Sequence, residues 1–398
     1  MKKIIAKIYH SDDTLLNEIF DFKFDGFTKD INSGMGECVL TIAEKFNYSG
    51  GGFDLGNYVK LYVSDEDTVN VAGGMVLIYN GYISMIEPYV EGNKEYILVH
   101  SIGEYTKLSL DILKNGTATT LYSDSAAGLT VTADGSAADI GLQVRAVIDR
   151  FVAENPSAKF TYTQISIPLT STTAQYMFQS KTYREALDKL REMAPVGYFF
   201  YVDEENVVSL KPKPTSPTHR FEFGKHFGAL RIEKSMEAIR NVIVIWNGEP
   251  GTPGTPPCVR KSYENAASIS QYGRRTERYV DRGINDVSAA DAVAAGFLGS
   301  LATPEIKVYC TIFDGNGSSQ GYDIESIQPG DTCTFVGFND DVANLLQENM
   351  LITSVKYTLD KVELTIEAIK SGLVDWQEKT SKQVEQVSGD GTPATYTT

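Results

Sequence analysis

Proton transfer and metal binding near neutral pH fall first to histidine, and the chain has four: His10, His100, His219 and His226. They are widely spaced, with no His-Glu-x-x-His and no His-x-His, which argues against a zinc hydrolase. His100 falls within a predicted strand and reads as a structural histidine. A cysteine nucleophile needs a base beside it. Cys258, next to a Pro-rich loop, has no histidine close in sequence. Together with Cys38, Cys310 and Cys333 it lacks any Cys-x-x-Cys spacing, so the four read as reduced small hydrophobes, not as a disulfide framework or zinc site. Two acidic runs, Asp65-Glu66-Asp67 and Asn339-Asp340-Asp341, each follow a predicted strand. They have the oxygens that calcium wants, but a charged turn also shields a β edge, and that is the reading preferred here. No Gly-x-Ser-x-Gly, Walker loop or Gly-x-Gly-x-x-Gly occurs, and no pair among the plentiful carboxylates stands out. The expectation is a protein without catalytic residues, cofactor or metal.

The elements around these residues are mostly strands. The 22 Tyr and 18 Phe, with frequent Val, Ile and Thr, tilt the composition toward β structure. At 398 residues the chain should divide into several domains, each with its own core. A formal net charge of −16 argues against a surface that grips nucleic acid through its phosphates, although nucleic acid could pass such a wall without being held. No apolar run approaches the roughly 20 residues of a membrane span, and Met1-Lys2-Lys3-Ile4-Ile5-Ala6-Lys7 is not a secretory signal. Synthesis in a cytoplasm is expected.

Residues 1–108 read as short strands, including Ile4–Tyr9, Phe20–Phe24 and Cys38–Ile42, packed as a first antiparallel β-barrel. Residues 109–213 read as an α+β insert. There Asp139 caps a helix with Val144, Val147, Ile148 and Phe151 on one face, and Thr182-Tyr183-Arg184-Glu185 forms a capping box. The second helix buries Tyr183, Ala186, Leu187 and Leu190 and turns Arg184, Glu185, Asp188, Lys189, Arg191 and Glu192 to solvent. Tyr198–Val202 and Val207–Leu210 are strands around the turn Asp203-Glu204-Glu205-Asn206. Residues 214–249 and 302–372 are assigned to a second β-barrel, 250–301 to a small inserted domain with an Ala-rich helix, and 373–398 to a polar tail. The fold class expected is mainly β with an α+β insert: two tube-like antiparallel β-barrel modules plus smaller α/β domains.

One strand pattern occurs twice. The first copy is Leu55-Gly56-Asn57-Tyr58-Val59-Lys60-Leu61-Tyr62-Val63, then Ile83-Ser84-Met85-Ile86, then Tyr96 to Ile102. The second is Pro329-Gly330-Asp331-Thr332-Cys333-Thr334-Phe335-Val336, then Ile352-Thr353-Ser354-Val355, then Val362 to Ile369. Gly56 and Gly330 should therefore start matching strands of two related modules.

In order and spacing the motifs resemble a family, the phage tail-tip and baseplate hub proteins. Gly81-Tyr82-Ile83-Ser84-Met85-Ile86-Glu87-Pro88 with its hairpin is similar to the family's first barrel. Glu185-Ala186-Leu187, Gly197-Tyr198-Phe199-Phe200 and Asn206-Val207-Val208 resemble its second domain. Ser268-Ile269-Ser270-Gln271-Tyr272-Gly273-Arg274, Pro304 and Pro329-Gly330-Asp331 resemble its later part, so the likeness covers residues 1–372. It extends to contractile-phage hubs and to the short tail-associated (Tal) proteins of siphophages. It implies a non-enzymatic structural virion protein: a homotrimer that closes the distal end of the tail tube, adapts three-fold to six-fold symmetry and opens for DNA passage. The implied partners are a hexameric distal tail ring, with tail tube, tape-measure and receptor-binding proteins as further neighbours. Genomic DNA would pass without specific binding, and no membrane insertion is implied. The alternatives are a tail-associated cell-wall hydrolase and a host-binding adhesin using the exposed loop 247–258.

Overall fold

A computed structural model describes residues 3–43, 53–64, 75–113, 138–174, 182–195, 197–246, 260–280, 294, 297–299, 301–315, 321–338, 346 and 349–367. The strands are β1 (Lys3–Tyr9), β2 (Leu15–Ile19), β3 (Lys23–Asp30), β4 (Gly34–Ala43), β5 (Tyr58–Ser64), β6 (Val76–Glu91), β7 (Lys94–Gly103), β8 (Ala138–Asp139), β9 (Thr173–Ala174) and β10 (Tyr198–Val202). They continue with β11 (Val208–Pro212), β12 (His219–Glu222), β13 (Leu230–Ser235), β14 (Val242–Trp246), β15 (Arg260–Glu264), β16 (Thr276–Val280), β17 (Glu305–Phe313), β18 (Thr332–Val336), β19 (Met350–Tyr357) and β20 (Lys361–Glu367). The helices are α1 (Ile140–Glu154), α2 (Tyr183–Met193) and α3 (Ala266–Tyr272). The chain is mainly β with an α+β insert, the class its sequence predicts. No helix among the described residues is long and apolar enough to cross a membrane.

The chain divides into two compact units, Met1–Glu233 with Lys307–Ala368, and Lys234–Ile306 with Ile369–Thr398. In the first unit thirteen strands form one sheet, while β8–β9 and β10–β11 form two-stranded sheets of their own. The path of the large sheet runs β13-β17-β20-β19-β3-β4-β7-β6-β5-β1-β2, with β18 also on β19 and β12 on β18. The two predicted strand modules are joined within one sheet, through β19 and β3. Period-two sequences build it: in β20, Val362, Leu364 and Ile366 point to the core, while Lys361, Glu363, Thr365 and Glu367 do not. One expected strand is displaced. Phe20 is 66 % exposed and lies in the bend between β2 and β3, where the segment predicted as a strand breaks up.

The insert packs α1 and α2 against the β10–β11 hairpin. Asp139 caps α1 by accepting the Gly141 N–H at 2.7 Å. Thr182 and Glu185 form the predicted capping box of α2, with the Glu185 N–H to Thr182 Oγ1 at 3.1 Å and the Thr182 N–H to Glu185 Oε2 at 2.7 Å. The buried faces meet through Phe151 and Tyr183, edge to face at 4.9 Å, above Phe200, Val208 and Leu210. Arg191, expected at the solvated face of α2, is instead buried, with Asp188 at 3.9 Å. Helical periodicity places residue 191 one turn on from Leu187, at the margin of the apolar stripe. The turn after β10 forms as its residues predict: Asp203 Oδ1 accepts the N–H of Glu205 and of Val207, and Asn206 takes a φ of 60°.

In the second unit β14 lies between β15, antiparallel, and β16, parallel. Ile243, Ile245 and Tyr279 pack with Ala294, Phe297 and Leu301. Val242–Trp246, assigned from sequence to the second barrel, belongs to this sheet, because the strands that satisfy its edges are β15 and β16 and not β12 or β13. The Ala-rich helix expected here is described at Ala294 and 297–299, which are helical.

Candidate assembly surface

None of the described residues forms a catalytic constellation. His10, Ser11 and Asp12 are adjacent, but one ring nitrogen serves both neighbours: His10 Nδ1 lies 3.5 Å from Ser11 Oγ and 3.3 Å from Asp12 Oδ1. A nucleophile–base–orienter relay needs both nitrogens of the imidazole. Buried His219 has both engaged, Nδ1 with the Tyr322 hydroxyl at 2.9 Å and Nε2 with Asp331 Oδ2 at 3.0 Å, so it braces β12 against β18. His100 Nδ1 meets Glu37 at 2.8 Å, in keeping with a structural role. A cleft of about 600 Å³ opens beside Gly56, Tyr58 and Tyr82, with Lys107 on its wall. Lys107 is committed to the Tyr58 hydroxyl at 2.7 Å and to buried Glu104 at 3.0 Å. Cys38, Cys310 and Cys333 are free and buried. Burial raises all three thiols, that of Cys333 to about 12, which keeps them protonated and poorly nucleophilic. No group of three or more ionisable ligands could hold a metal among the described residues. Cys258, both acidic turns, the loop 247–258 and the 373–398 tail lie outside the described residues.

The duplicated pattern, by contrast, is built in matching detail. Gly56 and Gly330 have φ of 88° and 93°, a left-handed conformation natural to glycine, and each lies in the turn two residues ahead of a strand, β5 and β18. The Gly56 N–H donates to Ile83 O at 2.9 Å, and the Ile83 N–H returns to Asn57 O at 2.7 Å. In the second copy the Gly330 N–H donates to Ile352 O at 2.8 Å, and the Ile352 N–H returns to Asp331 O at 2.8 Å. One residue later each middle strand carries a β-bulge, between Ile83 and Met85 and between Ile352 and Ser354. The bulged hydroxyls do the same thing: Ser84 Oγ donates to His100 O at 3.3 Å, and Thr353 Oγ1 to Thr365 O at 3.1 Å. Strand order matches too, β3-β4-β7-β6-β5 against β13-β17-β20-β19-β18. So does burial: Tyr58–Tyr62 and Thr332–Val336 repeat one pattern, as do Cys38–Ala43 and Val308–Phe313. The copies part at the outer strand, since β1 lies antiparallel to β5 whereas β12 lies parallel to β18.

The copies join where residues 27–30 of β3 add antiparallel to residues 354–357 of β19, in the register Phe27↔Tyr357, Thr28↔Lys356, Lys29↔Val355 and Asp30↔Ser354. Phe27 stacks on Tyr357 at 5.4 Å. The junction also holds a polar core. Lys29, on β3, forms an ion pair with Glu204 of the insert and donates to Gln328 Oε1 at 3.2 Å, just ahead of Gly330. Gln328 Nε2 reaches Glu204 Oε1 at 3.1 Å, the Tyr201 hydroxyl donates to Gln328 Oε1 at 3.0 Å, and Asn80 of β6 donates to Glu204 O at 3.0 Å. Burial pulls the Lys29 ammonium below the usual lysine range, and the Glu204 carboxylate opposes that fall. One network thereby ties both copies to the insert. Sequence reasoning passed over Lys29, since a lysine in an alternating strand signals an exposed face.

No protein-family model matches the chain, and no curated protein does. Solved structures do. The 43 kDa tail protein of prophage MuSo2 from Shewanella oneidensis aligns with a TM-score of 0.60 at 14% identity, covering 94% of this chain and 99% of that one. The prophage tail protein gp18 from Listeria monocytogenes gives 0.58 at 12% identity, covering 96% and 99%. The tail protein from Neisseria meningitidis gives 0.60 at 9% identity, covering 92% and 97%. At these identities the likeness establishes the fold, which this chain shares with solved phage tail proteins along nearly its whole length.

Proposed function

We propose that this chain is a structural tail-tip hub whose three copies close the distal end of a phage tail tube, match a hexameric ring and open for DNA passage. The observation that carries the reading is the doubled module. Two copies of one strand arrangement per chain give three chains six quasi-equivalent faces, which is what a three-fold body needs to meet a six-fold ring. Assembly of this kind requires surfaces and not an active site, in keeping with the committed histidines and protonated thiols above. A net charge of −16 suits a wall that DNA slides past without being held. The shared fold with phage tail proteins supports a place in the virion tail. Sedimentation of the purified chain, alone and with its distal ring protein, tests this reading. It predicts a trimer in at least one of the two; a monomer in both would overturn it.

A further inference from the structure

We infer that the cleft beside Gly56 is a binding site for an uncharged sugar ring. This goes beyond the hub reading and does not rest on it.

The duplicated module shows what shape fits there. In the second copy the ring of Phe199, from β10 of the insert, lies directly against Gly330 and is only 3 % exposed. In the first copy no described residue takes that place. Nothing described lies within 4 Å of a methyl built on Gly56, and the cleft of about 600 Å³ opens over the same turn. The two turns share their left-handed glycine and their pair of hydrogen bonds to the bulged middle strand. One backbone geometry therefore seats a six-membered ring inside the second copy and offers the same seat to solvent in the first. The walls differ accordingly. Thr332 and Leu351, fully buried in the second copy, have Tyr58 and Tyr82 as their counterparts, and both tyrosines line the cleft. Its volume falls in the range of small-ligand sites, about 300–1,000 Å³.

The lining selects the class of ring. Asn57, 5 % exposed, sets a buried amide in the wall, and His10, Ser11, Ser84 and Ser157 surround it with imidazole and hydroxyl groups. His10 turns Nδ1 toward Ser11 and Asp12, which leaves Nε2 without a partner among the described residues. A phenyl ring like that of Phe199 would strip water from these groups and return no hydrogen bond. Nor is the cleft built for an ion. Its lysine, Lys107, is held by the Tyr58 hydroxyl at 2.7 Å and by both oxygens of buried Glu104 at 3.0 Å, so the positive charge is already compensated. A neutral pyranose meets both demands: its hydroxyls answer the polar rim, and its apolar face rests on Leu55 and Tyr82.

The test is saturation-transfer NMR of the full chain with four neutral trisaccharides (maltotriose, cellotriose, chitotriose and mannotriose) and with acidic sialyllactose. Binding of at least one neutral sugar is expected. Ser157→Trp sets an indole at the mouth of the cleft, much as Phe199 fills its counterpart, and should abolish the signal. His10→Ala removes one hydrogen bond and should weaken binding about threefold to tenfold. Both residues are exposed, and circular dichroism checks that each variant folds as the parent does. No binding of any neutral sugar would overturn the site; if the chain still sedimented as a trimer, the hub reading would stand. Binding unchanged in Ser157→Trp would put the sugar elsewhere and overturn the assignment. A preference for sialyllactose would make Lys107 an anion site and overturn the neutral class. A chain that binds sugar through this cleft, yet stays monomeric with and without its ring partner, would overturn the hub reading and leave the site.

Discussion

Replacing Lys29 by Met isolates the polar core of the junction. The ammonium and the Glu204 carboxylate are both largely removed from water, with side-chain exposures of 5% and 12%. In Lys29→Met the carboxylate keeps, among the described residues, the Gln328 amide at 3.1 Å and no cation. Breaking a buried pair from one side costs about 3–5 kcal/mol. That is a large share of the roughly 5–15 kcal/mol by which folded domains are stable. The same buried position allows the reverse experiment: Lys29→Met with Glu204→Leu removes both charges, and an apolar pair of similar volume is often neutral or better. Urea unfolding followed by far-ultraviolet circular dichroism would give both values for the transition that includes the first unit. The expected outcome is a strong loss in the single variant and recovery of most of it in the double variant. A single variant within about 1 kcal/mol of the parent would refute the buried-pair account, as would additive losses in the double.

The two matched glycines should differ in tolerance. An alanine methyl at Gly330 would lie 2.3 Å from Phe199 Cε2, whereas at Gly56 nothing lies within 4 Å, so Gly330→Ala should cost about 1–3 kcal/mol more in a denaturant titration; equal costs would contradict the packing described. Thr182→Ala removes half of the capping box and should cost about 0.5–2 kcal/mol, read the same way, with Thr182→Ser nearly silent. His226 accepts the Glu222 N–H on Nδ1 at 3.1 Å, and burial holds its pKa below the ordinary histidine value. Its contribution is therefore present above about pH 6.5 and is lost as pH falls through the lower folded value. Thermal midpoints measured downward from pH 7.5 should fall less steeply in His226→Gln than in the parent, and parallel curves would exclude this histidine.

Local chemistry was legible in the sequence, and long-range chemistry was not. Asp139, the Thr182–Glu185 box and the Asp203–Asn206 turn act within a few residues of themselves, so their side chains announce the structure they make. The doubled pattern was legible for the same reason: a left-handed glycine, a polar residue and an alternating strand leave a signature in each copy. What the sequence hides is who pairs with whom. Lys29 looks like an exposed strand lysine until Glu204 arrives from 175 residues away. Val242–Trp246 is apolar enough for any sheet, and only its neighbours decide that it joins β15 and β16. Phe20 is a strong strand former that the fold uses at a bend.

The central claim is that two copies of one strand module let a three-fold body present six similar faces. Electron cryomicroscopy of the purified assembly, reconstructed without imposed symmetry, tests it most directly. The account predicts a ring of three chains in which six lobes alternate between the Gly56 module and the Gly330 module at near-equal angles. A ring in which only one module of each chain reaches the shared face would contradict it.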